Sequence, residues 1–267
     1  MKMKGQKYSI AFYLLILLTF CSCVYSDYND HISPGNTTYY INPTDGDDEN
    51  SGLKSERAWR TFSQINNIKL SAGDRVEITS PGSFDQSLLL SGDGTVDNPV
   101  EVHFAKGQYD FFPDNVFREK YNISNTNASP DSLKAVGILL KHAKNFKISG
   151  VGAEIVYHGK MIEVCIDSSE NISVADLSFD YNRPTVSEFK VVAVGDRYAD
   201  LEIHKDSKYK IEYRNIFWYG DGWTYNTRIL AQELNLETND VKRLWNPIEY
   251  MEFEEVEPGL VRAYGSH

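Results

Sequence analysis

The chain has 267 residues and a formal net charge of −11. That acidity excludes a nucleic-acid binder, because phosphate affinity rests on clustered Lys and Arg. The three cysteines include Cys21 and Cys23 at the end of an apolar leader, so Cys165 has no internal disulfide partner once the leader is processed, and an ordinary core must hold the fold.

Lys2, Lys4 and Lys7 form a basic start, and Ile10 to Phe20 is almost wholly apolar. This run is shorter than the roughly 20 residues a bilayer needs, but it suits the apolar region of a signal peptide. Ser22 then Cys23, behind such a run, resembles a bacterial lipobox with Cys23 as the lipidated residue. Cys21 stands where a small residue is commoner, and plain signal-peptidase cleavage is the alternative. Residues 1–22 are therefore expected to be a leader and 23–38 a polar tether. The protein is expected to be exported, in the periplasm or as an outer-membrane lipoprotein, with its membrane contact made through the lipid anchor.

From Tyr39 onward, Gly and Asx residues punctuate short apolar stretches, and long helical periodicities are scarce. This predicts an all-β chain. One short helix is predicted over Ala58–Ile65, with Trp59, Phe62 and Ile65 on one face. The acidic loop Asp45–Gly52 before it lacks the distal Glu of a calcium loop, so no metal is assigned. The order of strand, Asp/Gly loop, helix and strand is similar to the N-terminal cap of pectate-lyase-like parallel β-helices, where a cap closes the open first rung. Asn98–Phe104 alternates as an early rung strand. Residues Tyr109–Leu133 read as a long irregular loop, a feature that is usually functional. The sequons at Asn122 and Asn127 are incidental in an exported bacterial-type protein.

The solenoid pattern is clearest between Gly137 and Tyr181. Phe146, Ile148, Ile155 and Tyr157 alternate, as do Ile172, Val174, Leu177 and Phe179. Asn145 and Asn171 open equivalent strands 26 residues apart, the length of one solenoid turn. Asn at a repeated corner can take the left-handed conformation. A β-sandwich of similar strands is the alternative. Residues 39–187 are thus expected to form the cap and first rungs of a right-handed parallel β-helix. From Glu188 the spacing changes to hairpins, and residues 188–267 are expected to form an antiparallel barrel or sheet hung on the solenoid. The chain is expected to be the N-terminal part of a longer solenoid.

If the apolar positions point inward, then Lys147, Glu154, His158, Glu163, Asp167, Ser173, Ser178 and Asp180 point outward. Stacked outward carboxylates are how a β-helix can assemble an acid and a base, and glycoside hydrolysis needs two such groups. Each one singly is more simply a solvated surface group. Asp180, Arg183 and His158 are the candidate substrate contacts. Asp180 and Arg183 stand where the solenoid meets the appended strands, and junctions favour ligand clefts. Arg183 is expected to pair with Asp180 or to fork onto sugar hydroxyls. Trp218, Trp223 and Trp245 are either stacking surfaces or buried core.

The strings FFPDN, YNISNTN, GILLKHAKNFKISGVGAEIVYHG and LSFDYNRPTVSEFKVVAVGDRYADLEIHKDSKY resemble glycoside hydrolase family 110, the exo-acting α-1,3-galactosidases of Bacteroides-type bacteria. The resemblance runs from about Tyr39 to the end of the chain, and FDYNRPTVSE and VGDRYAD are its specific parts. It implies inverting hydrolysis without a cofactor or metal, and an antiparallel β-barrel inserted in the solenoid over residues 188–267. The implied substrates are glycans ending in α-1,3-linked galactose, of blood-group-B or linear type. The family's catalytic carboxylates are expected beyond His267, so none is assigned here. A homo-oligomer is compatible with this reading. A non-catalytic glycan-binding β-helix is the main alternative. A polysaccharide lyase fits less well, since it needs calcium or clustered basic groups.

Overall fold

A computed structural model describes residues 31–122, 132–226, 231–244 and 251–265. The leader, Cys23 and Trp245 lie outside the described residues. Within them the chain is all-β, and its first part is one parallel sheet curled into a coil with three faces.

Successive strands stack face by face in parallel register. On the first face Ile68–Ser71 pairs with Leu88–Asp93, which pairs with the start of the long strand Lys134–Tyr157, which pairs with Met161–Asp167. On the second face Thr38–Ile41, Arg75–Ile78, Val100–Phe104, Phe146–Ser149 and the start of Glu170–Tyr181 lie in order. On the third face Gly82–Phe84, Gly107–Phe111, Ala153–Tyr157 and the end of Glu170–Tyr181 do the same. Every inward column is apolar. Tyr39, Val76, Val102, Ile148 and Val174 are consecutive partners, as are Phe84, Phe111, Tyr157 and Tyr181. Their alternation with polar residues is the period of two that a one-sided β face requires.

The corners are built from residues with left-handed backbones. Asn145 and Asn171 both have φ of 54°, and His142 and Ser168 repeat the geometry three residues earlier in each coil. Asn145 Nδ2 donates to Gly94 O at 2.8 Å, and Asn171 Nδ2 donates to Asn145 Oδ1 at 2.6 Å. This asparagine ladder satisfies a corner carbonyl that the sheet leaves unpaired. Asn145→Ala is expected to cost about 2–3 kcal/mol, from a strained φ and an orphaned carbonyl. Asn145→Gly should recover roughly 1 kcal/mol of that, because glycine accepts the backbone. Chemical denaturation of the three proteins checks the order.

The predicted helix over Ala58–Ile65 is not formed. Single 3-10 turns occur at Ser55–Arg57 and Ile65–Asn67. Between them Trp59 N donates to Tyr40 O and Trp59 O accepts from Asn42 N, so its backbone is committed to a neighbouring strand rather than to a helical turn. Asp48 Oδ1 accepts from the backbone amides of Arg60 and Thr61, both at 2.9 Å. Trp59, Phe62 and Ile65 are nevertheless all buried. Gly52, at φ of 70°, lies flat under the Trp59 ring, where a Cβ would come within 2.3 Å of it.

After Arg183 the pairing turns antiparallel. Phe189–Val194, Tyr198–Ile203, Leu260–Tyr264 and Glu252–Glu257 form a four-stranded sheet, in the spatial order just given. Tyr209–Glu212, Asn215–Gly220 and Trp223–Asn226 form a three-stranded sheet, and Ala231–Leu234 pairs with Val241–Leu244. The two larger sheets share a second core of Leu201, Ile203, Ile216, Trp218, Trp223, Phe253 and Val261. Arg262 donates to both oxygens of Asp200 at 2.6 and 2.8 Å across this sheet, which holds the Asp200 carboxyl below its ordinary range.

Candidate functional site

The third face of the coil meets the three-stranded sheet, and the chemistry-bearing side chains gather at that junction. Ser83, Asp110, Val156 and Asp180 form one column of register partners on this face. Asp110 and Asp180 are two strands apart, or roughly 10 Å at the usual spacing. Asp180 is exposed and accepts a local bond from Tyr181 N at 2.7 Å.

His158 follows the third strand of this face, its amide held by Phe111 O. Its Nε2 lies 2.9 Å from Asp110 Oδ1 and its Nδ1 lies 3.5 Å from Asp221 Oδ2. Phe112 stacks on the ring at 4.0 Å. Asp221 stands in the turn between Asn215–Gly220 and Trp223–Asn226, and it also accepts from Asn182 Nδ2 at 3.2 Å.

Arg183 does not pair with Asp180. Its side chain is turned inward and buried, where Nη1 donates to Pro184 O and Val186 O and Nη2 donates to Ser187 Oγ. The guanidinium lies 5.0 Å from the centre of the Trp223 ring. Burial lowers its pKa despite the opposing influence of Tyr225 and Asp206. Its role here is to shape the segment that links coil to appended sheets, which leaves no fork for sugar hydroxyls. Trp218 and Trp223 are buried in the second core rather than presented for stacking. An open groove of about 540 Å³ runs beside Trp223, lined by Lys210, Tyr219, Gly220, Gly222 and Thr224. That volume is within the range of small-ligand sites.

A second polar cluster lies on the first face, under the excursion that leaves the coil after Phe111. Lys141 Nζ sits 2.9 Å from Glu119 Oε2 and 3.6 Å from Asp167 Oδ2. Tyr121 OH donates to Asp167 Oδ2 at 3.1 Å. Partial burial pushes the Asp167 carboxyl up, but hydrogen bonds from Ser168 and Tyr121 and the charge of Lys141 outweigh it, and the group ends below its ordinary range. A carboxylate held ionised in this way is a poor proton donor. Burial first, then the nearby Cys165, Glu119 and Asp167, pushes the Tyr121 hydroxyl far up. Glu163, on the same strand as Asp167, is partly exposed, and its backbone carbonyl accepts from Tyr157 OH. Among the described residues no group of three or more His, Cys, Asp or Glu side chains is arranged to hold a metal ion.

Sequence reading identified His158 and Asp180 as outward-facing but missed Asp110 and Asp221. Asp110 shares its column with Asp180, so the strand register could have found it. Asp221 comes from a hairpin more than sixty residues after His158, and no local pattern signals that pairing.

The chain is 34% identical over 219 residues to α-1,3-galactosidase A of Akkermansia muciniphila, a match covering 80% of this chain and 36% of that protein. It is 30% identical over 165 residues to α-1,3-galactosidase A of Bacteroides fragilis, covering 60% and 27% respectively. It is 33% identical over 154 residues to the Bacteroides thetaiotaomicron protein of the same name, covering 57% and 27%. The chain thus spans about a third of the length of the curated relatives it matches. No family profile matches. A solved lacto-N-biosidase from Eubacterium ramulus superposes with a TM-score of 0.40 at 16% identity, over 55% of this chain and 34% of that one, a likeness too slight to bear on function.

Proposed function

Because this chain carries a region homologous to the α-1,3-galactosidases, we propose that it works as part of a glycoside hydrolase that removes terminal α-1,3-linked galactose from glycans. The observation that carries the reading is identity of 34% sustained over 219 residues. A match of that length must include residues of both the parallel coil and the antiparallel unit, so it is more than a general likeness between solenoids. The substrates proposed are blood-group-B-type and linear α-1,3-galactosides, hydrolysed with inversion.

The finer structural reading goes with it. The parallel coil is taken as right-handed and the antiparallel unit as a barrel-like insertion in it. The groove beside Trp223, with Asp180 and the His158 cluster nearby, is the surface on which we place glycan contact. The acid and base are not assigned among the described residues, and the ionised Asp167 argues against its serving as the acid. The proposal extends to export and to lipid attachment at Cys23, which would bring the protein to glycans outside the cytoplasm.

The test is galactose release, by the whole enzyme of which this region is proposed to be part, from galactobioses that differ only in linkage. The α-1,3 isomer is expected to be cleaved at least a hundredfold faster than the α-1,4 and α-1,6 isomers, since a site built around one hydroxyl geometry leaves polar groups unpaired with the others (roughly 10²-fold or more). Equal rates on all three, or cleavage of none, would reject the reading.

A further inference from the structure

We propose that His158 is a protonation-dependent latch that fastens the antiparallel unit to the third face of the coil. The two nitrogens of its ring face carboxylates from different elements. Asp110, on the strand Gly107–Phe111, is 2.9 Å from Nε2, and Asp221, in the turn of the hairpin Asn215–Asn226, is 3.5 Å from Nδ1. A neutral imidazole carries one N–H, so it donates to one of these groups and turns a lone pair to the other. An imidazolium donates a charge-assisted bond to Asp110, roughly twice as strong as a neutral one, and its positive charge also attracts the Asp221 carboxylate 3.5 Å away. The protonated ring therefore draws coil and hairpin together, and the neutral ring holds only one of them.

The surroundings fix the ring in this bridging place. Phe112 covers one face of it at 4.0 Å. Gly159, next in the chain at φ of 74°, lets the hairpin approach closely: a Cβ there would lie 3.1 Å from Asp221 O and 3.3 Å from Pro113 Cγ. Lys160, on the same turn, lies over the Trp223 ring at 6.0 Å, and Arg183 covers the same ring from within. Arg118 donates to Pro113 O. Asp180 lies two strands along the column from Asp110 and bonds its own neighbour. Asn182 donates to Asp221 Oδ2 and is a neutral tie that persists at any pH.

The sign follows from the charges. Only the protonated ring carries a positive charge to both carboxylates, so the latch closes when the ring gains a proton and opens when it loses it. Amide hydrogen exchange read at the hairpin Asn215–Asn226, corrected for the intrinsic pH dependence of exchange, tests it. Protection there is expected to fall roughly five- to tenfold from pH 5 to pH 8, the size of one charge-assisted bond in a partly exposed place. His158→Gln, which keeps a donor but cannot gain a proton, should show a flat profile over the same range. Asp221→Asn, which removes one charge and leaves Asp110, should flatten most of it. Protection that is independent of pH in the native protein would overturn the proposal. So would a fall of equal size in His158→Gln, which would assign the effect to another group.

Discussion

Replacing Ile148 by aspartate is expected to unfold the coil at neutral pH. Ile148 is buried in the second face, and its register partners Val102 and Val174 are apolar on both sides. The substitution removes an apolar side chain worth roughly 2–5 kcal/mol and sets a carboxylate where no cation or donor is at hand. The combined loss, about 5 kcal/mol or more, is comparable with the whole margin of a typical domain. The same change at Ile172 should cost roughly half as much, because Ile172 lies on the outermost described strand of that face and is only half-buried. Urea denaturation followed by circular dichroism checks both values. Equal losses at the two positions would argue against a stack that grows more buried inward from that strand.

Arg183→Ala is the second large effect expected. Three backbone and side-chain acceptors, Pro184 O, Val186 O and Ser187 Oγ, take their donors from one guanidinium. Its removal takes the donor from two part-buried carbonyls and opens a cavity against Trp223, a loss of about 2–3 kcal/mol. Because those acceptors lie in the segment leading to the strand Phe189–Val194, the antiparallel unit should loosen while the coil stays folded. Lysine reaches one acceptor at a time and should recover less than half of the loss, since it lacks the planar fork. Trp223 lies under the guanidinium, so its fluorescence reports the change directly. A variant that melts like the native protein would show that the guanidinium is not what orders the segment.

Much of the coil was legible in the sequence because its signals are local. Asn145 and Asn171 mark equivalent corners 26 residues apart, and the structure places one side chain on the other. The alternating residues around them need only a period of two to be read. What was not legible depends on partners distant in the chain. Trp59, Phe62 and Ile65 show helical spacing, yet the backbone of Trp59 is claimed by Tyr40 and Asn42 and the next amides by Asp48. Burial was therefore right there and the element wrong. Arg183 was expected at a ligand because Asp180 stands near it in sequence, but successive strand residues face opposite ways, and Arg183 falls beyond the strand, where the chain turns inward. Asp110 and Asp221 meet His158 only after the hairpin docks, and no single-segment pattern could have joined them.

The central proposal is that this region belongs to an enzyme that hydrolyses an α-1,3-galactosidic bond with inversion. Proton NMR of the whole enzyme of which this region is proposed to be part, acting on α-1,3-galactobiose, measures linkage, reaction and stereochemistry together, because the anomeric protons of α- and β-galactose are resolved before mutarotation mixes them. An acid and a base set far enough apart to admit water, about 6.5–9.5 Å, deliver that water to the face opposite the leaving group. The β-anomer of galactose should therefore appear first and the α-anomer grow in later. Initial release of the α-anomer would contradict inversion, and an unchanged disaccharide would contradict the function itself.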